Sequence, residues 1–354
     1  MKYHLLMVLV LFTLLTVSLS GCRIFPTPDS NNGDTPGQGG PVVRGETLPG
    51  RLLFVQQGVI WQWKEGEGRP LLGKGLERHP DWSPDGTKIT YVEHGESYTD
   101  VMIADAQGDH LAQLTYNGSE HQLQSRERIH DTMWAFYPTW MPDGSRITVA
   151  SQYGPPYGSP AVEYNLSLFL LSTDGSEKRQ QIYADTMAQC GSMDYLPTTA
   201  EREETPVLAF THAGMGVEGY QQIYRLDLET ETAAPFPGMP RHSYDPAFSP
   251  DGAWLAFAAR NGNETDIWVL PGNPTEGSEP APTQLTSLGR ARAPAFSPNG
   301  TMLAFLAIPP GKGGFELWVV PLSQNEEGLL QAGKPRQVSH DMNLDADSGL
   351  SWAP

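Results

Sequence analysis

Apolar residues recur along this chain in short runs separated by turn-forming clusters. Lys88-Ile89-Thr90-Tyr91-Val92, Arg146-Ile147-Thr148-Val149-Ala150, Trp254-Leu255-Ala256-Phe257 and Met302-Leu303-Ala304-Phe305 are runs of strand type. Each follows a copy of one phrase: Trp82-Ser83-Pro84-Asp85-Gly86, Trp140-Met141-Pro142-Asp143-Gly144, Phe248-Ser249-Pro250-Asp251-Gly252 and Phe296-Ser297-Pro298-Asn299-Gly300. Proline presets φ at the first turn position, Asp or Asn bonds the local backbone, and glycine takes the left-handed conformation that closes a hairpin. Strand, turn and strand therefore repeat as a unit.

The turn prolines fall at 84, 142, 250 and 298, and the middle interval is about twice the others. A degenerate copy, Tyr195-Leu196-Pro197, stands in that gap, and Trp352-Ala353-Pro354 supplies a sixth aromatic-x-Pro. A period near 50 residues, each unit holding several short strands, is the signature of a β-propeller. The fifth unit reads as inner strand Pro246 to Ser249, second strand Trp254 to Ala259, third strand Asp266 to Leu270 and outer strand Thr283 to Thr286. The sixth repeats it with Leu317 to Val320 and Arg336 to Ser339. At the other end, Gly50-Arg51-Leu52-Leu53-Phe54-Val55 resembles a turn glycine and second strand with no first strand ahead of it. The expected fold is all-β: a six-bladed propeller of four-stranded blades over residues 48 to 354, its first blade closed by the C-terminal Ser351-Trp352 strand. Closure removes exposed sheet edges.

The first 47 residues change the picture. Leu5 to Val17 is an apolar stretch of signal-peptide length after a basic Lys2, so residues 1 to 21 are expected to be a targeting segment. It ends Leu19-Ser20-Gly21-Cys22, which resembles the lipobox of bacterial lipoproteins. That resemblance implies cleavage before Cys22 and its acylation, anchoring an extracytoplasmic protein at the outer membrane or outer cell surface. Residues 22 to 47, rich in Pro, Gly, Asn and Asp, are expected to be a disordered tether.

The charge narrows the partners. With 41 acidic against 23 basic residues and a net charge of −18, nucleic acid is excluded as an expected partner. Only Cys190 stands beside Cys22, so no disulfide is expected within the folded region.

With these residues laid out, the chain resembles the TolB-like β-propellers of bacteria, whose hallmark is a strand ending in aromatic-Ser-Pro-Asp-Gly. The same repeat occurs in the propellers that cap prolyl oligopeptidase-type enzymes. The resemblance covers residues 48 to 354 and implies the propeller family and not TolB's particular role; the expected role is that of a binding or interaction module.

Propellers bind where the loops feeding the inner strands converge. Counting back from each turn proline places Arg78 and His79, Tyr137, Tyr244 and Asp245, and Arg292 at that mouth. The preceding loops add His130 and Trp134, Arg241 and His242, and Asp345, with Asp194 just inside its strand. Such a mixture suits an envelope protein, a peptide or a glycan. The insertion between Tyr116 and Phe136 is long enough to be functional. No Gly-x-Ser-x-Gly elbow or His-Glu-x-x-His occurs, so neither enzymatic activity nor a cofactor is expected, and the chain is read as a monomer. Two alternatives remain. One is a polysaccharide lyase or hydrolase using a metal on His79, His130, His242 and His340; the other is a structural subunit of an envelope complex.

Overall fold

The computed structural model describes residues 41–198, 206–215, 219–275 and 277–354. Six antiparallel sheets follow one another along the chain as the blades of a propeller. Blades 2 to 5 have four strands each: Glu77–Trp82, Lys88–His94, Thr99–Asp105 and His110–Gln113 in blade 2, and Ser243–Phe248, Trp254–Asn261, Glu264–Pro271 and Thr283–Gln284 in blade 5. Blade 3 runs from the inner strand Ala135–Trp140 to Gln180–Tyr183, and blade 4 from Ala188–Tyr195 to Thr232–Pro235.

Closure is as expected. Ser351–Ala353 pairs with Arg51–Gln56 as the inner strand of blade 1, with Leu52 opposite Trp352. The apolar cluster of Leu52, Phe54, Trp61, Trp63, Ala304, Leu306, Leu317 and Val319 then welds blade 1 to blade 6. The core lies between blades: the second strands are buried on both faces, as in Leu255-Ala256-Phe257-Ala258 and Leu303-Ala304-Phe305.

Two sheets exceed four strands. Val43–Arg44, which the sequence reading assigns to the tether, pairs with Glu67–Leu72 at the outer edge of blade 1. In blade 6 the long third strand, Glu316–Gln324, takes Arg336–Gln337 at one end and Leu330–Ala332 at the other. Both additions cover strand edges that would otherwise be open.

The turns carry one hydrogen-bond pattern. Ser249 Oγ donates to Asp251 Oδ1 at 2.5 Å and accepts from Trp254 N at 2.9 Å, while Gly252 sits at φ 68°. Ser83 with Asp85, and Ser297 with Asn299, repeat it. Blade 3 has Met141 in place of the serine and so lacks the hydroxyl bonds, keeping the backbone bonds from Gly144 N to Met141 O and Met141 N to Arg146 O and the bond from Ser145 N to Asp143 Oδ1. The acidic segment Glu201 to Glu204 replacing this turn in blade 4 lies outside the described residues, as do Cys22, the targeting segment and the tether up to residue 40.

Candidate functional site at the channel mouth

The inner strands of blades 2 to 6 break their ladders at the same place. Register shifts fall between Arg78 and Asp81, Cys190 and Met193, Tyr244 and Ala247, and Arg292 and Ala295, and opposite Phe136 to Thr139 in blade 3. The residue five before each turn proline sits in the bulge in blades 2 to 6, at His79, Tyr137, Ser192, Asp245 and Ala293, whereas in blade 1 that position, Gly349, follows the short helix Ala346–Ser348. Four non-glycines there adopt left-handed backbone, at φ 51° for His79, 54° for Tyr137, 55° for Asp245 and 53° for Ala293. Such conformations cost about 1–2 kcal/mol per residue and concentrate at functional sites. The bulge turns these side chains toward the axis.

The axis holds two cavities. The upper one, about 90 Å3, is lined by His79, Tyr137, Ser192, Asp245 and Asp347, with Asp81 below them. The lower one, about 420 Å3, is lined by Asp81 and Asp194 among the aromatics and prolines of the turns. Pro80, Pro138, Pro246 and Pro294, with Met193 and Leu350, form an apolar ring at the level of the upper cavity. A third recess of about 510 Å3 spreads outward over blades 2 to 4, between Arg78, His94, Phe136, Tyr137 and Gln221.

Seven of the expected mouth residues contact one another: Arg78, His79, Tyr137, Tyr244, Asp245, Arg292 and Asp345. Arg292 donates through Nε to Asp245 Oδ2 at 2.9 Å and is ion-paired with Asp347. Asp245 also accepts from Ser192 Oγ at 3.0 Å and from Ala293 N at 3.1 Å. Arg78 is ion-paired with Asp345, whose carboxylate caps the short helix Ala346–Ser348. The guanidinium of Arg292 lies over Tyr244 at 5.1 Å. Burial opposes the charge on Arg292, but Asp245 and Asp347 outweigh it and hold the guanidinium firmly protonated.

His79 is buried and packs on Tyr137 with ring centroids 4.3 Å apart. Burial, then the charges of His94 and Arg78, push its pKa down to about 3, so the ring is neutral at physiological pH. Burial, reinforced by Asp245 and Asp347, pushes the Tyr137 phenol up to about 12.

Other expected residues lie elsewhere. Trp134 stacks on Phe136 with centroids 5.9 Å apart and planes 7° apart, and does not itself line the outer recess. His130 ends the short helix Arg126–His130 and bonds through Nδ1 to Pro156 O at 2.9 Å, fastening the insertion to the neighbouring loop. Arg241 covers Tyr220 at 4.5 Å, and His242 Nδ1 faces Arg260 at 3.3 Å. These three do not line the central cavities. The four histidines weighed as a metal set do not converge, and among the described residues no group of three or more His, Cys, Asp or Glu is arranged to hold a metal.

Asp194 is in the channel rather than at the mouth, and it has a counterpart, Asp81, that the sequence reading passed over. Asp81 Oδ2 accepts from Trp140 N at 3.0 Å and Oδ1 from Ser351 Oγ at 2.9 Å. Asp194 Oδ2 accepts from Phe248 N at 2.6 Å. Each carboxylate thus ties its inner strand to the next blade. Burial pushes Asp81 up to about 6 and Asp194, with Asp81 acting on it as a like charge, up to about 7; the backbone donors oppose the rise. The signal was available: each is an acid three residues before an aromatic-x-Pro proline.

Comparison with known proteins follows this geometry. No family model matches the chain. It is 28% identical over 210 residues to the uncharacterized peptidase YuxL of Bacillus subtilis, a match covering 58% of this chain and 25% of YuxL. The chain thus spans about a quarter of that curated relative. Among solved structures, TolB from Acinetobacter baumannii aligns with a TM-score of 0.57 at 18% identity, over 88% of this chain and 68% of that one. A chain of a nidogen/laminin complex aligns with a TM-score of 0.53 at 10% identity, over 85% and 97%. The protein is therefore a six-bladed β-propeller with the fold of TolB.

The expectation of no enzymatic activity is corrected by the match to a protein named as a peptidase. The physical reason is that a missing serine elbow excludes one chemistry, whereas the propeller repeat itself is shared with peptidase chains.

Proposed function

We propose that this chain is an extracytoplasmic propeller, anchored by a lipid on Cys22, that binds a protein or peptide segment at its channel mouth. The observation that carries the reading is the ring of five bulges bearing five different residues, His79, Tyr137, Ser192, Asp245 and Ala293, completed by Gly349 at the same count from its proline. A scaffold that repeats its backbone but varies every side chain around one opening is built for recognition. The outer recess, walled by Phe136 and Tyr137 with Gln189 and Gln221 across from them, offers aromatic faces and amide groups to an extended chain. The similarity to a peptidase favours a second reading, in which the peptide held at the mouth is a substrate.

The test is photocrosslinking in the intact cell, with benzoylphenylalanine at Phe136 or at Gln284 on the outer strand of blade 5. Protein or peptide adducts from position 136 and not from 284 support the reading. Adducts from 284 alone, or none from 136, overturn it. Loss of radiolabelled fatty acid in Cys22→Ser tests the anchor separately.

A further inference from the structure

We propose that the loops crowning blade 3, at the mouth end but outside the central cavities, form a docking surface for another protein. The contacting segment of that partner carries lysine or arginine around an apolar centre. The surface shares no lining residue with either channel cavity, so it goes beyond the mouth reading and is tested apart from it.

Exposed apolar side chains are concentrated in these loops. Among the described residues thirteen large hydrophobic side chains are exposed, and nine of them lie in residues 116–134, 153–165 and 184–187 or at Met215. The mouth-end loops of blades 5 and 6, which hold the same place in the repeat, contribute none. Tyr153, Tyr157 and Tyr164 form the centre. They lie on the loop between the second and third strands of blade 3, Arg146–Gln152 and Leu166–Ser172. The Tyr164 ring is 5.9 Å from that of Tyr153 and 4.8 Å from that of Tyr157, centroid to centroid. At 61%, 51% and 38% exposure, the three offer on the order of 300 Å2 to solvent between them. That alone reaches the size of the largest patch on a typical monomer, which is often an interaction site.

Hydrogen bonds make the flanking loops one surface with this centre. His130 Nδ1 meets Pro156 O at 2.9 Å and brings the insertion, with Leu123 and Ile129 exposed on it, against the tyrosine loop. On the other side Asn165 Nδ2 donates to Thr186 O at 2.8 Å, and Met215 N donates to Met187 O at 2.8 Å. Exposed Met187 and Met215 thus continue the surface onto blade 4. A surface held in shape before its partner arrives lowers the ordering cost of binding.

The charge around the centre selects the partner. Arg128 is set against Glu96 at 3.5 Å. The same loops otherwise carry Glu120, Glu127, Asp131, Glu163 and Asp185 against Arg126. The whole chain, at −18, has the same sign. A second copy or an anionic lipid surface would be repelled. A lysine or arginine would meet carboxylates at the rim and tyrosine faces at the centre. Tyrosine and methionine at the centre, with charge kept to the rim, match the anatomy of a protein interface.

The experiment uses the full chain in phosphatidylcholine nanodiscs, with benzoylphenylalanine in place of Tyr157. It is irradiated with one of three octapeptide amides, alternating Lys and Leu, Glu and Leu, or Lys and Ser. The Lys-Leu probe should give at least about ten-fold more adduct than either of the others. Glu127→Gln with Glu163→Gln should lower its yield about five-fold with the thermal midpoint unchanged. Glu326→Gln with Glu327→Gln, at exposed positions in blade 6, should leave the yield as it is. Equal adducts from the Lys-Ser probe would reduce the site to charge alone, and equal adducts from the Glu-Leu probe to apolar contact alone; either overturns the proposal. So do adducts to phosphatidylcholine in place of peptide, which would mark a lipid-facing surface, or an unchanged yield in the Glu127 and Glu163 variant. Crosslinks from position 136 in the cell, without selective labelling at 157, would remove this inference alone. Selective labelling at 157 with no adducts from 136 would remove the mouth reading and leave this surface.

Discussion

The two ends of the channel are built on opposite rules. At the turn end, blades 2, 5 and 6 repeat the same serine, the same Asp or Asn and the same left-handed glycine, with hydrogen bonds alike to within a few tenths of an ångström. At the mouth, five residues earlier, the blades share a bulge and little else. His79, Tyr137, Asp245 and Ala293 hold one backbone conformation with four unrelated side chains. The turn end is conserved from blade to blade because hairpin closure allows few residues. The mouth is free to vary because its conformation is imposed by the sheet on either side. Uniformity marks where the fold is made, and variety marks where recognition is expected.

The comparison can be broken most sharply at Arg292. Arg292→Ala leaves the Asp245 carboxylate, 11% exposed, without its cation, and should destabilise the protein by about 3 kcal/mol in urea unfolding. A loss below 1 kcal/mol would mean the mouth contributes little to the fold. Next comes the pH response of the channel. The folded protein keeps the Asp194 proton up to about pH 7, whereas an ordinary aspartate releases it near 3.8. The folded state therefore binds more protons across that interval, and stability falls as pH rises through it. Asp194→Asn should flatten the slope by up to about 1.4 kcal/mol per pH unit, read from denaturation at a series of pH values.

At the turn end, Ser249→Ala removes a buried hydroxyl that serves both Asp251 and Trp254, and should cost about 1.5 kcal/mol. The smallest effect is expected at Gly349, which sits at φ 73° with nothing near enough to clash with an added Cβ. Gly349→Ala should cost about 1 kcal/mol from backbone conformation alone. A loss as large as that of Arg292→Ala would show that the surroundings of Gly349 are less open than its lack of near neighbours indicates.

The inner strands, their turns and the second strands were legible because each depends on neighbours within a few residues: proline, Asp and glycine in order, then an apolar run. The velcro closure was legible for the same reason, as half a blade stands at each end of the chain. The mouth was legible only in part. Arg78, His79, Tyr137, Tyr244, Asp245 and Arg292 could be placed because they lie a fixed count from a turn proline. His130, Arg241 and His242 could not, because they lie in loops whose course depends on Pro156, Tyr220 and Arg260. Asp81 was overlooked because an aspartate inside a strand reads as an exposed residue until the strand is known to border a narrow channel.

By itself, then, the sequence determined the repeat, the number of blades and the closure of the ring, since these follow from short-range turn chemistry and the period of the apolar runs. The tertiary structure decided which side chains share a cavity, and that Asp81 and Asp194 clasp neighbouring blades. Those relations join residues 50 or more positions apart, and only the curvature of the closed ring brings them within hydrogen-bond reach.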